Sequence, residues 1–304
     1  MKILVTGGAG FIGSHLSDRL ILDSHEVFVI DNLSSGREGN IAKRARFLKE
    51  DIRNHSLGDI FKKEKFEIVF HLAAQSDVSK SLKNPKMDME TNILGTLNLL
   101  ELSAKNKVKK FIFANSVACF GEPKYLPIDE KHPPSPISFY GLSKYTGSFY
   151  VQLFGRKKNL PFVNLIFANV YGPKQNPFGE GGVVAKFIYS MISGDPPNVF
   201  GSGNQTRDFI FVEDLVLALT LSLKIKNETL PIGTGMETSV NQLYQKIAQK
   251  LNFLKKPAYK PKKEGDIERS VVSSKKAKKL LGFSPRTSLD VGLEKTISYF
   301  KEIY

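Results

Sequence analysis

Lys2-Ile3-Leu4-Val5-Thr6-Gly7-Gly8-Ala9-Gly10-Phe11-Ile12-Gly13 opens the chain, and its reading decides the fold. Residues 2–6 form a short apolar, β-branched run, the pattern of a strand covered on both faces. Residues 11–23 read as an amphipathic helix. Between them Gly7, Gly10 and Gly13 follow a dinucleotide-binding spacing, with one extra residue between the first two glycines. One glycine makes the tight turn, one lets a pyrophosphate approach the backbone, and one lets the helix pack on the sheet. The helix start at Phe11 and Ile12 then points free N–H groups and a positive dipole end at the phosphates. Asp31 ends a second strand-like run (26–31), 18 residues after Gly13. A carboxylate there accepts hydrogen bonds from a ribose 2′-hydroxyl and repels a 2′-phosphate, so NAD is expected rather than NADP. The alternative is a glycine-rich turn of structural use only.

Working outward, strand-like and helix-like segments alternate: strands at 67–72, 109–116 and 162–167, helices at 88–106 and 139–157. Near-continuous apolar strands alternating with helices indicate an α/β fold, a Rossmann-like doubly wound parallel sheet. Residues 122–136 hold five prolines and read as a long ordered loop, because regular patterns resume directly after it. Beyond about residue 168 the elements become shorter and richer in Gly and Pro. The expected division is a NAD-binding domain over 1–168 and a smaller α/β substrate-binding domain over 169–304, with a segment near 208–235 packing back on the first. The 304 residues suffice for both, and a chain of this size buries a core without staples.

The segment Tyr140-Gly-Leu-Ser-Lys144 begins a helix-like run, and i,i+4 spacing places phenol and ammonium on one face. A nearby ammonium stabilises a phenolate, so Tyr140 is a candidate general base for a hydroxyl group. Alone, a Tyr-x-x-x-Lys pattern is also a common surface arrangement. Ser116 adds weight, because it ends the 109–116 strand, and doubly wound folds bind ligands at the carboxyl ends of their strands.

The motifs Gly7–Gly13, Asp31, Asp51-Ile52, His71-Leu72-Ala73-Ala74, Asn92, Ser116, Tyr140-x-x-x-Lys144 and Asn169-Val-Tyr-Gly-Pro173 together resemble an extended short-chain dehydrogenase/reductase. The second half is similar to the nucleotide-sugar branch, the UDP-hexose 4-epimerases, through Gly179-Glu-Gly-Gly-Val-Val-Ala185, Phe200-Gly-Ser-Gly-Asn-Gln-Thr-Arg-Asp208, Val212-Glu-Asp214, Gly265-Asp266 and Leu281-Gly-Phe-Ser-Pro285. The resemblance implies Ser116, Tyr140 and Lys144 as the catalytic set. For NAD it implies contacts from Gly7, Gly10, Phe11, Ile12, Gly13, Asp31, Asn32, Asp51, Ile52, Leu72, Ala73, Ala74, Asn92, Tyr140, Lys144 and Phe167. For a UDP-sugar it implies Val78, Ser116, Tyr140, Asn169, Val183, Val184, Phe200, Arg207, Lys263, Asp266 and Ser270. Asn169 and Arg207 would meet the diphosphate, Phe200 the uracil and Asp266 the nucleotide side. The other reading of Arg207 is an ion pair with Asp208.

Related dehydratases carry Asp-Glu after the Ser/Thr position, and related decarboxylases a Glu at the second place. Here those positions are Val117 and Ala118, neither of which moves a proton. Oxidation at C4 then leaves return of the hydride as the simple exit, and the resemblance implies 4-epimerisation through a 4-keto sugar that turns over between the two steps. Three departures from the family pattern stand out. Lys263 replaces an Arg three residues before Asp266 and loses its bidentate fork, so the contact could move to a neighbour such as Lys262. Ile166 occupies a common Arg position. Ser270, four residues after Asp266, replaces a bulky Tyr that limits the pocket to unsubstituted hexoses, which points to UDP-GlcNAc/UDP-GalNAc, with UDP-Glc/UDP-Gal as companions; it also reads simply as a more open pocket. A UDP-glucuronate 4-epimerase or other nucleotide-sugar enzyme, and an NAD- or nucleic-acid-binding protein without turnover, are the rival readings.

The net charge of +14, from 44 Lys and Arg against 30 Asp and Glu, suggests an anionic partner of some kind. Residues 250–286 hold 12 of the cations and three acids, so most of the excess is expected to be solvated surface. No nucleic acid is expected. The single cysteine, Cys119, excludes an intrachain disulfide and fits a reducing compartment. With six residues before the first glycines there is no room for a secretory h-region, and no apolar run spans a bilayer, so a cytoplasmic protein without membrane contact is expected. The five histidines lack metal-ligand spacing, and no metal is expected. A homodimer paired through a four-helix bundle is implied by resemblance; the apolar stripes near 91–106 and 139–157 are equally explained by packing on their own sheet.

Overall fold

The computed structural model of the protein describes residues 1–178 and 182–304. The first half runs β1 (Lys2–Thr6), α1 (Phe11–Leu22), β2 (Glu26–Asp31), β3 (Arg46–Lys49), α2 (Leu57–Glu64), β4 (Ile68–His71), α3 (Val78–Lys83), α4 (Pro85–Met89), α5 (Gly95–Lys105), β5 (Lys110–Ser116), α6 (Phe139–Lys158) and β6 (Phe162–Phe167). The second half adds β7 (Asn169–Tyr171), α7 (Val183–Ile192), β8 (Asn198–Phe200), β9 (Thr206–Arg207), β10 (Phe209–Phe211), α8 (Val212–Leu221), β11 (Glu228–Ile232), β12 (Thr238–Ser239), α9 (Val240–Leu251), β13 (Ala258–Lys260), β14 (Arg269–Ser270), α10 (Lys275–Leu281) and α11 (Leu289–Ile303).

Seven strands form one parallel sheet in the order β11-β6-β5-β4-β1-β2-β3. The chain winds outward from β1 to β3, then restarts at β4 on the other side of β1. That reversal opens a crevice at the carboxyl ends of β1 and β4, where doubly wound folds take their ligands. Side chains alternate across the sheet. Ile3 and Val5 face one core with Leu16 and Leu20 of α1 and Leu215 and Leu219 of α8. Leu4, Phe28 and Ile30 face the other with Phe61 of α2, Leu99 and Leu100 of α5 and Val151 of α6. Burial on both faces explains why these strands read as continuous apolar runs. A third core lies in the C-terminal half, where Phe187 and Ile188 of α7 meet Leu243 and Ile247 of α9 and Leu293 and Phe300 of α11.

In the first half, three short elements, β3, α2 and α3, escape the sequence reading. β3 is an edge strand with exposed ends, so its hydrophobic signal is weak. The helix expected over 88–106 is α4, a π turn over Glu90–Leu94 and then α5. The wider turn brings Asn92 inward, where it accepts from the Gln75 N–H at 2.8 Å and donates to the Gln75 carbonyl at 2.9 Å. Near 208–235 the chain crosses back: α8 packs on α1, and β11 becomes the edge strand beside β6. The proline-rich loop is pinned by Ile128, which bonds the backbone of Val271 and Ser273. Among the described residues no helix is long and apolar enough to cross a membrane.

Candidate active site

Glycine packing builds the cofactor end. Gly7 has φ +74° and turns the chain out of β1. A Cβ on Gly13 would lie 2.2 Å from the Gly7 carbonyl oxygen, so only glycine lets α1 start this close to the loop. Asp31, buried at the end of β2, accepts from the N–H of Ala9 at 3.0 Å and of Leu33 at 2.8 Å. It therefore ties the glycine-rich loop to the strand that presents it. Burial raises its carboxyl pKa, and the two N–H donors oppose the shift. Asn32 donates to Asp51 at 2.7 Å, and Arg53 grips both oxygens of Asp51 at 2.8 Å. The Arg53 hydrogen bonds hold Asp51 well below the usual carboxylate range. The sequence reading did not include Arg53; its position two residues after Asp51 was the only available signal.

The catalytic end is assembled by β5 and α6. Ser116 caps the short turn after β5, accepting from the Ala118 N–H at 3.2 Å. Its hydroxyl proton is thereby left to point at another acceptor. Ser138 caps α6 by accepting from the Gly141 N–H at 3.0 Å, which places Tyr140 in the first helical turn. Gly141 brings the two together: a Cβ there would sit 2.3 Å from the Ala118 carbonyl oxygen. A larger residue would push Tyr140 away from the Ser116 turn. No sequence motif singled out Gly141, because the contact joins residues far apart in the chain.

Lys144 lies one turn further along α6 and is 4% exposed. Its ammonium sits 4.6 Å from the Phe113 ring centroid, a cation–π arrangement. Burial lowers its pKa to about 8, with the nearby Asp88 carboxylate opposing the shift.

One cavity of about 730 Å³ joins both ends. Gly7, Gly10, Phe11, Ile12, Gly13, Asp31, Asn32, Asp51, Ile52, Leu72, Ala73, Ala74 and Phe167 line it together with Ser116, Tyr140 and Lys144. From the substrate set it also takes Val78, Asn169, Arg207, Asp266 and Ser270. These residues fit NAD: a Cβ on cavity-lining Gly10 would meet only the Gly7 carbonyl oxygen, at 3.1 Å, and so would occupy the cradle, the α1 N-terminus faces it, and Asp31 lies at the tip of β2. Among the described residues no group of three His, Cys, Asp or Glu side chains converges as a metal site would require.

Other expected contacts lie elsewhere. Asn92 is buried beneath the cavity in its bonds to Gln75 and Ser143. Val184 is buried in the third core, and Val183 packs against the same cluster. Residues 179–181 of the Gly179–Ala185 motif lie outside the described residues. Lys263 lies over the Phe200 ring at 3.9 Å, and neither lines the cavity. Lys262 is engaged in an ion pair with Glu268. Arg207 pairs with Asp266 rather than with Asp208. Asp208 is buried as a structural knot, accepting from the N–H groups of Thr234, Gly235 and Val272. Ile166 is buried in the core beside β6.

A family profile described as "NAD dependent epimerase/dehydratase family" matches residues 3–233. A solved UDP-glucose 4-epimerase from Thermotoga maritima, with UDP-glucose, is 44% identical and superposes with a TM-score of 0.98 over 100% of this chain and 99% of that one. The UDP-glucose 4-epimerase of Thermus thermophilus, in complex with NAD, is 35% identical with a TM-score of 0.95 and full coverage of both chains. A UDP-N-acetylglucosamine 4-epimerase from Methanobrevibacter ruminantium, in complex with UDP-N-acetylmuramic acid, is 32% identical with a TM-score of 0.95 over 100% of this chain and 99% of that one. The glycine cradle with Asp31, the Ser116/Tyr140/Lys144 face and a profile match across most of the chain agree: this protein belongs to the NAD dependent epimerase/dehydratase family, and NAD is its cofactor.

Proposed function

We propose that the protein is a UDP-hexose 4-epimerase that admits N-acetylated sugars, interconverting UDP-GlcNAc and UDP-GalNAc as well as UDP-Glc and UDP-Gal. One observation carries the reading. Ser116, Tyr140 and Lys144 face the same cavity as the cofactor cradle, and the two positions after Ser116, which also line it, are Val117 and Ala118. Neither side chain can take up or deliver a proton, so the site holds no group at those positions to drive loss of water or of CO2.

NAD, when bound, is the redox partner that oxidises C4 and then reduces it. Tyr140 takes the 4-hydroxyl proton, and Ser116, oriented as a donor by Ala118, hydrogen-bonds the same oxygen. Lys144, buried and cationic below about pH 8, favours the phenolate of Tyr140. The apolar surface of Val117 and Ala118 gives the keto sugar no strong anchor, leaving the nucleotide grip to hold the molecule while the ring turns over. Arg207, Asn169 and Asp266 supply that grip, and Arg207 enters it after exchanging part of its pairing with Asp266 for a phosphate oxygen.

Ser270 carries the N-acetyl preference. It sits on β14 beside Arg207 of β9, 2% exposed, and its small side chain lines the cavity. Incubation with UDP-GlcNAc, UDP-Glc and UDP-GlcA, followed by NMR of the products, tests the function; absence of a 4-epimer from both UDP-GlcNAc and UDP-Glc would overturn it, and a 4-epimer from UDP-GlcA alone would establish the uronate reading instead. In the same assay Ser270→Tyr is expected to lower kcat/KM for UDP-GlcNAc by about 10- to 100-fold while leaving UDP-Glc within about threefold, as expected when a side chain fills the acetamido space. Equal losses on both substrates would remove Ser270 from the specificity role.

The proposed assembly is a homodimer through α4, α5 and α6. Leu142, Tyr145 and Phe149 form a stripe at i, i+3 and i+7 on α6, with Phe149 53% exposed, and Leu94 and Met89 are exposed on the neighbouring helical segment. Light scattering is expected to give twice the 33.9 kDa chain mass, and Phe149→Glu to give a monomer. A monomeric parent protein would exclude this interface.

A further inference from the structure

Asp88, on α4, is a buried carboxylate for which the chemistry above has no use. It is 1% exposed. One oxygen accepts from Gln75 Nε2 at 2.9 Å and from Asn92 Nδ2 at 3.2 Å, while the other, Oδ2, is buried without a hydrogen-bond partner. A carboxylate left half-satisfied in the interior is unfavourable unless a charge compensates it. The groups facing Lys144 come from four elements besides the Phe113 ring. His71 of β4 is held neutral by burial, with a pKa near 3, and the Cys119 thiol after β5 is pushed up to about 12. Tyr140 lies on the same helix as Lys144, and Asp88 lies on α4. Asp88, on a helix packed against α6, is the carboxylate among these groups that acts on the buried ammonium.

A second connection is made of hydrogen bonds. Asn92 Nδ2, besides meeting Asp88, donates to Ser143 Oγ at 3.0 Å, and Ser143 Oγ donates to the Tyr140 carbonyl at 3.0 Å. The π turn that brings Asn92 inward is what closes this chain between α4 and the first turn of α6.

We infer that Asp88 is a positioning residue of the active site: its half-satisfied carboxylate is the counter-charge to Lys144, and its bonds through Asn92 and Ser143 hold the turn that presents Tyr140. The inference rests on the proposed acid–base role of Tyr140 and Lys144. The test variant is Asp88→Asn, which is nearly isosteric. Its amide oxygen retains the bonds from Gln75 and Asn92, and its NH2 takes the place of the unpartnered oxygen, so the change removes the charge at nearly constant volume.

Loss of that charge makes it easier to take a proton from both Lys144 and Tyr140. Both limbs of the pH–kcat/KM profile are expected to move to lower pH, by about one unit. The alkaline limb, where Lys144 loses its proton, is the clearer readout. Titration of Lys144 followed by NMR of ¹³Cε-lysine-labelled protein, assigned with Lys144→Met, is expected to move the same way without any turnover. Asp88→Glu, which keeps the charge, is expected to return both measurements toward the wild type. A folded Asp88→Asn protein with unmoved Lys144 titration and unmoved alkaline limb would overturn the inference, whatever its melting temperature. Full activity in Tyr140→Phe would instead overturn the acid–base reading, and the NMR titration separates the two failures.

Discussion

Tyr140→Phe is expected to lower kcat for 4-epimerisation by about 10³-fold or more, with NAD content and UDP-sugar affinity close to those of the wild type. In the proposed mechanism the phenol takes the 4-hydroxyl proton, and no other titratable side chain on the first turn of α6 lines the cavity. Ring packing is retained in phenylalanine, so the capped helix start, the Gly141 contact with Ala118 and the Ser138 cap survive. The loss should therefore fall on the chemical step. Product formation followed by NMR gives kcat, nucleotide released on denaturation gives NAD content, and calorimetry with UDP gives the nucleotide grip. A variant within tenfold of wild-type kcat would mean that another group moves the proton.

Gly13→Ala should be as severe at the other end of the cavity. The added Cβ meets the Gly7 carbonyl oxygen at 2.2 Å and the Gly8 Cα at 2.8 Å. Both are backbone atoms and cannot rotate aside, so either α1 lifts from the loop or the loop shifts. That loop carries the N–H groups meant for the pyrophosphate, and Asp31 holds it through Ala9. Misfit of this kind costs roughly 1–3 kcal/mol of stability and removes the cofactor cradle as well. The expected protein purifies without NAD, melts lower and gains little from added NAD. Stoichiometric NAD in purified Gly13→Ala would show that the Gly13 approach does not shape the cofactor site.

Much of this was legible from local pattern. Gly7, Gly10, Gly13 and Asp31 lie within one strand–helix–strand unit, and their tasks follow from backbone geometry over a few residues. Tyr140 and Lys144 lie one helical turn apart, so their common face follows from helical periodicity. The apolar strands announced a sheet covered on both sides, and both cores confirm it. Weakly patterned elements such as the edge strand β3 escaped, because half of their residues face solvent.

Side-chain partners across long separations were not legible. Arg207 was open to pairing with its neighbour Asp208, but the fold turns Asp208 inward to gather three backbone N–H groups and gives Arg207 to Asp266, 59 residues away. Val184, expected from its motif to meet the substrate, packs its side chain into the third core. The basic segment that dominates the net charge contributes no lysine or arginine to the cavity lining; Lys263 lies on Phe200 and Lys262 on Glu268. By itself the sequence determined the five inner strands of the sheet, the NAD cradle and the Tyr140/Lys144 pair, since each shows in the pattern of a short stretch of chain. Only the tertiary structure decided that Gly141 must let α6 approach Ala118, that Asp208 is structural, and that Asp88 lies buried near Lys144, because burial and long-range approach exist only once β4, β5 and α6 have packed together.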